Sequence, residues 1–213
     1  MQTISNSLAD VVATPEVERD ELDNLEPGDL ARQCQAGSQE AFAALVEQFQ
    51  ERIYNFLFKM TGRSHDAEDL TQETFLKAWQ GIGRFNPQHS FSSWLFTIAK
   101  RTALNHFRSR RPVAELEEAP EPADESDPSA VLAQHEENRE LWSLARTLKP
   151  RQYQVLWLRY AEGFSVEETA KIMGLLPIHT RVLLHRGRNQ LAHLLQSKPG
   201  RGDNSNYQPA KVL

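Results

Sequence analysis

Nowhere in the 213 residues do eighteen apolar side chains run together, so no transmembrane helix is expected. The first twenty residues, MQTISNSLADVVATPEVERD, lack a basic start, and Asp10 interrupts their short apolar stretch, which argues against a secretory signal. Cysteine occurs once, at Cys34, which excludes an internal disulfide and suits a reducing cytoplasm. No motif frames Cys34 as a nucleophile, so it reads as a small buried apolar residue. The seven histidines show no Cys/His ligand spacing, and neither a metal nor another cofactor is expected. Internal repeats and alternating strand patterns are also missing. The expected fold class is therefore all-α.

The most informative absence is of acids. From Thr74 to Ala114 there is no Asp or Glu, yet the window holds Lys77, Arg84, Lys100, Arg101, Arg108, Arg110 and Arg111. Seven aromatics interleave with them: Phe75, Trp79, Phe85, Phe91, Trp94, Phe96 and Phe107. Cations that track phosphates and rings that stack on unpaired bases suit single-stranded nucleic acid. Phe75, Trp79 and Phe96 read as core, whereas Phe85, Phe91 and Trp94 flank the loop-like GRFNPQHSFSSW and stand evenly between core and stacking. A second acid-free stretch runs from Glu168 to Asp203. The acids lie elsewhere: residues 1–29 carry a net −7 and residues 113–140 a net −9. Since the whole chain is −5, the rest carries +11. A weakly acidic chain thus contains a strongly basic working part, and a polyanion is the expected partner.

What is present organises into modules. Pro120, Pro122 and Pro128 fall in AELEEAPEPADESDPSA, an acidic, aromatic-free stretch that reads as an extended, self-repelling linker. The expected division is a disordered acidic extension (1–27), a helical module (28–112), the linker (113–129), a second helical module (130–196) and a flexible tail (197–213). In the first module Phe42, Leu45, Val46, Phe49, Ile53, Phe56 and Leu57 recur at helical spacing, with Ser38 placed as N-cap and Gly62 as stop. Ser64 is a candidate cap for the next helix, whose first turns carry Asp66, Glu68 and Asp69 where the helix dipole favours acids. A third helix runs through FSSWLFTIAKRTALNHFRSRR. The second module predicts one helix over LKPRQYQVLWLRYAEG and a short one over SVEETAKIMG, capped reciprocally by Ser165 and Glu168. Pro177 then opens a longer helix. That order is a helix-turn-helix, with the last helix offered to the major groove.

Together these stretches resemble the extracytoplasmic-function sigma factors, small members of the bacterial sigma-70 family. DAEDLTQETFLKAW (66–79) looks like region 2.2, RFNPQHSFSSWLFTIAKRTALNHFRSRR (84–111) like regions 2.3 and 2.4, and LKPRQYQVLWLRYAEGFSVEETAKIMG (148–174) like the first half of region 4. The resemblance implies a cytoplasmic bacterial subunit, not itself an enzyme. It implies core RNA polymerase (β′ clamp helices and β flap), double- and single-stranded promoter DNA and an anti-sigma factor as partners. On these residues it implies clamp docking by Asp66, Asp69, Leu70, Gln72, Glu73 and Phe75. It implies minus-ten DNA contact, including capture of a flipped base, by Arg84, Phe85, Phe91, Trp94, Lys100, Arg101, Asn105, His106, Arg108, Arg110 and Arg111. Minus-thirty-five contact falls to Ser165, Glu167, His179, Arg181, Val182, Arg186 and Arg188.

The last helix departs from the family's pattern, because Val182 and Leu183 stand where Ser and Arg are usual. A helical wheel turns Thr180, Leu184, Gly187, Leu191 and Leu195 inward and Ile178, Val182, Arg186, Asn189 and His193 outward, with Arg181, Leu183 and His185 on the flanks. This predicts either a helix that holds phosphates while reading few bases or one whose apolar face docks on a protein partner.

Two other readings fit the sequence less well. A helix-turn-helix regulator independent of polymerase leaves the acid-free aromatic window unexplained. A metal-dependent nuclease or phosphatase built on Asp66, Glu68, Asp69 and Glu73 lacks a second acidic cluster or a partner His or Lys. Energetics also favour a subunit. Two captured bases at about 1–3 kcal/mol each do not open a bubble of about ten steps costing about 1.4 kcal/mol each.

Overall fold

The computed structural model describes Leu22, residues 25–110 and residues 136–197. The expectations for the linker, and for most of the acidic extension and the tail, lie outside those described residues. The rest is helical as expected, with no strand among the described residues.

The first module consists of α1 (Pro27–Gln35), α2 (Gln39–Thr61), α3 (Ser64–Gly81), a 3-10 turn (Ile82–Arg84) and α4 (Phe91–Arg110). Helix α2 begins where expected, because the Ser38 hydroxyl accepts the Ala41 N–H at 3.1 Å. It ends at Gly62, whose φ of 67° few side chains tolerate. Ser64 is not the cap of α3. Arg63 occupies that position, and the Ser64 hydroxyl instead donates to Glu68 (3.0 Å) and pairs with Tyr54 (3.0 Å) inside the first turn. Leu45, Phe49, Ile53, Leu70, Leu95 and Phe96 meet between α2, α3 and α4. Helix α1 lies on this bundle and buries Leu30, Ala31 and Cys34. Burial pushes the Cys34 thiol up to about 12, so it is inert, in keeping with the structural role assigned to it.

The second module consists of α5 (Glu136–Ala145), α6 (Pro150–Leu156), a π-helical turn (Trp157–Ala161), α7 (Val166–Met173) and α8 (Pro177–Gln196). The helix expected to run unbroken to Gly163 thus widens at Trp157, whose carbonyl accepts from Glu162 N–H at 3.1 Å. The Ser165–Glu168 capping box forms in both directions (3.1 and 2.9 Å), and Gly174 closes α7 at φ 63°. A Cβ on Gly187 would stand 3.0 Å from Leu156 Cδ1, so the missing side chain is what lets α8 approach α6.

The modules touch, which no sequence pattern indicated. Phe164 meets Phe96 edge-on at 5.0 Å between ring centres, and α7 packs along α4. Arg52 Nε donates to Glu162 at 2.9 Å, Trp157 Nε1 donates to the same carboxylate at 3.1 Å, and Lys59 sits 5.4 Å from the Trp157 ring. Lys100 donates to the Met173 carbonyl at the end of α7.

Candidate nucleic-acid interface

Phe85, Phe91 and Trp94 form a trio with ring centres 5.1–5.6 Å apart, and Phe91 also meets Phe49 at 5.6 Å. Phe85 and Phe91 are buried and Trp94 is half-buried. Their rings are already occupied with one another, so in this arrangement Phe85 and Phe91 are core residues and not a free stacking platform. The side chains presented above them are Arg84, Asn86, Gln88, His89 and Ser90, all exposed. The loop is tightened by Asn86, whose side-chain oxygen accepts Gln88 N–H at 3.0 Å and whose carbonyl accepts His89 N–H at 2.9 Å. Phe75 and Phe96 are buried, and Trp79 is half-buried against Phe42 at 4.9 Å, the core placement expected for all three.

Along α4, Arg101, Asn105 and Arg108 are exposed and follow the i, i+4, i+7 spacing of one face. Lys100 and His106 turn elsewhere. Lys100 is half-buried beneath α7, and burial, with Arg151 and Arg101 nearby, pushes its amine down to about 8. His106 Nε2 lies 3.8 Å from the Asp66 carboxylate, and its ring faces Phe107. Arg110 is the last helical residue, but its side chain, like the whole of Arg111, lies outside the described residues.

Helix α3 divides the six residues assigned to clamp docking. Asp69, Gln72 and Glu73 are exposed and share a stripe with Leu76, an apolar side chain left 42% open to solvent. Asp66, Leu70 and Phe75 are buried, Asp66 facing α4 through His106 and the other two inside the bundle. The exposed stripe of α3 is therefore Asp69, Gln72, Glu73 and Leu76, with Leu70 and Phe75 holding the helix in place from below.

Helix α8 keeps its expected wheel. Thr180, Leu184 and Gly187 are buried, while Ile178, Val182, Arg186, Asn189 and His193 are exposed. Leu183, placed by sequence on the flank of the exposed side, is half-buried against the core. His179 and Arg181 are exposed, and Arg181 pairs with exposed Glu167 on α7 at 2.8 Å. Arg188 donates to the Tyr160 hydroxyl at 3.2 Å. Ser165 is half-buried with its hydroxyl engaged by Glu168, so its observed role is that of a cap. Leu176 (61%), Ile178 (57%) and Val182 (40%) form an exposed apolar strip among these cations.

The family models Sigma-70 region 2 and Sigma-70, region 4 match residues 45–113 and 138–191. CarQ of Myxococcus xanthus, an RNA polymerase sigma factor, is 36% identical over 166 residues, which are 75% of this chain and 91% of CarQ. The chain belongs to the sigma-70 family.

Within that family its similarity is to extracytoplasmic-function members. BldN of Streptomyces coelicolor is 35% identical over 173 residues, 78% of this chain and 65% of BldN, so the chain spans just under two thirds of that relative. Among solved structures, CnrH in complex with the cytosolic domain of CnrY aligns at TM-score 0.59 and 26% identity, over 80% of this chain and 97% of CnrH. RpoE of Bartonella quintana, solved with the anti-sigma factor NepR, shares the fold at TM-score 0.55 and 23% identity, over 74% of this chain and 98% of RpoE. In sigma terms α2 to α4 belong to the region 2 module and α5 to α8 to region 4, while α1 precedes the matched residues. The contacts that sequence reasoning missed are made by single polar side chains, three of them inside the matched regions. They are Gln35 on α1, which donates to the Ile82 and Phe85 carbonyls, Arg52 and Lys59 on α2, and Glu162 just past the π-helical turn. Each is a single polar residue in a helical pattern, and periodicity says nothing about what such a residue touches.

Proposed function

We propose that this sigma-70 family member binds core RNA polymerase and directs it to promoters, with region 2 holding the minus-ten element as single strand and region 4 holding the minus-thirty-five element as duplex. The observation that carries this reading is the pairing, on one bundle, of two surfaces of opposite character. The acidic stripe Asp69, Gln72 and Glu73 around Leu76 on α3 suits a protein partner, and the acid-free face of Arg101, Asn105 and Arg108 on α4 suits the DNA backbone and its bases. In this reading the chain is a cytoplasmic specificity subunit, and bond-making chemistry stays with the polymerase. The apolar strip Leu176, Ile178 and Val182 also suits an anti-sigma factor that would cover α8.

The test is reconstitution of the full chain with core polymerase, followed by mapping of transcript starts. Asp69→Ala combined with Glu73→Ala is expected to abolish co-purification with core polymerase at low salt and leave the thermal melt unchanged. A chain that never associates with core polymerase, yet still protects a DNA site, would establish the rival helix-turn-helix regulator.

A further inference from the structure

Gln35 is the last residue of α1 and lies outside the stretch matched to region 2, which begins at residue 45. Its side-chain amide donates to two carbonyls, those of Ile82 at 2.9 Å and Phe85 at 2.6 Å. The two acceptors bracket the 3-10 turn that opens the loop carrying Arg84 and Asn86. We propose that Gln35 is a positioning residue for base capture: it fixes the backbone from which the loop's exposed polar side chains meet the flipped minus-ten base. This rests on the sigma reading above.

That loop carries a few hydrogen bonds besides those from Gln35. Its other hydrogen bonds are local: Phe85 N–H to the Ile82 carbonyl at 3.0 Å, and the two bonds that tighten the turn at Asn86. Local bonds shape a turn but do not say where it sits relative to α4. The Phe85 ring is anchored below in the aromatic trio, and its carbonyl is anchored by Gln35. With both ends of Phe85 held, the directions of Arg84 and Asn86 on either side of it are set. Short polar side chains can select one base only if their backbone is held to about 0.5 Å. A primary amide suits the task, because one neutral group supplies two N–H donors to two carbonyls. A carboxylate of the same size would turn oxygens toward both. Gln35 does not itself reach the base in this arrangement. It acts through the loop.

The test uses the full chain in reconstituted holoenzyme, transcribing a template library randomised across the minus-ten element, with transcripts sequenced. The wild-type chain is expected to show a strong preference at one minus-ten position. In Gln35→Ala and Gln35→Glu that preference should fall about fivefold or more, the scale of one lost hydrogen bond. Preferences elsewhere in the element and binding to core polymerase should hold. Gln35→Lys keeps N–H donors at similar reach and should retain most of the preference, which a purely structural packing role would not predict. Should Gln35→Ala fail to fold, the Glu and Lys variants, which keep the aliphatic stem, decide the matter alone. An unchanged preference in Gln35→Glu, or an equal loss at every minus-ten position, would overturn the proposal while leaving the sigma reading intact. A wild-type holoenzyme with no minus-ten preference at all would overturn both.

Discussion

At the residue scale, Ser165 shows how one side chain can satisfy two descriptions that stability measurements separate. Resemblance assigned it to the minus-thirty-five surface, but the structure uses both its hydroxyl and its backbone N–H to close the start of α7 against Glu168. Ser165→Ala is expected to cost about 1 kcal/mol, the usual worth of an N-cap. Ser165→Asp should retain most of that stability, because an aspartate accepts the same N–H groups. Thermal melting followed by tryptophan fluorescence checks this, and a melt unchanged in Ser165→Ala alongside weakened DNA binding would assign the hydroxyl to DNA instead. Asp66 is a parallel case. Its place in an acidic run reads as a solvated docking residue, yet the helical phase buries it against α4, where His106 approaches. Charge is visible along a sequence; which side of a helix carries it follows only once the neighbouring helices are placed.

At the scale of elements, most of the architecture was legible. The apolar period of α2, the glycine stops and the Ser165–Glu168 box each report a local physical requirement that a sequence displays directly. The aromatic window was legible in composition but not in geometry. Phe85, Phe91 and Trp94 satisfy one another, a choice between core and stacking that depends on three-dimensional proximity. The outward face of α8 was legible almost throughout, except for Leu183, which turns to the core. Exposed Ile178 and Val182 offer no hydrogen bond to a base edge, while the exposed pair of Arg181 and Glu167 is weak enough to yield to a phosphate. Scrambling the minus-thirty-five element should therefore cost less than about tenfold in transcription, below the worth of one good bidentate base contact. Arg186→Ala should weaken binding to all sequences alike and flatten the salt dependence by about one unit of slope. A strong, base-specific loss on scrambling would show that α8 reads sequence after all.

At the scale of the whole molecule, the packing of region 4 on region 2 conflicts with simultaneous use of the two proposed DNA surfaces. Elements named for positions some twenty-five base pairs apart lie roughly 80 Å apart along B-DNA at about 3.4 Å per pair. The contacts seen here, Phe96 with Phe164, Arg52 with Glu162 and Lys100 with the end of α7, must then all separate. Two of them carry a pH signature. Burial raises the Glu162 carboxyl, the nearby Arg52 only partly opposing it, so the packed state favours its neutral acid. Burial also lowers Lys100 to about 8 from 10.5, so the packed state favours its neutral amine. Near neutral pH Lys100 is charged and its buried charge opposes packing. As pH rises from about 8 to 10.5, an open chain keeps the Lys100 proton while a packed one releases it, so packing strengthens across that window. The radius of gyration of the free chain, measured by small-angle scattering, should therefore fall between pH 7.5 and 10, and this alkaline compaction should vanish in Lys100→Met. Arg52→Ala, which leaves the Glu162 carboxylate in place without its cationic partner, should expand the chain at neutral pH and raise its affinity for single-stranded DNA by uncovering the Lys100 side of α4. If Arg52→Ala expands the chain but leaves that affinity unchanged, the packing does not mask the minus-ten surface.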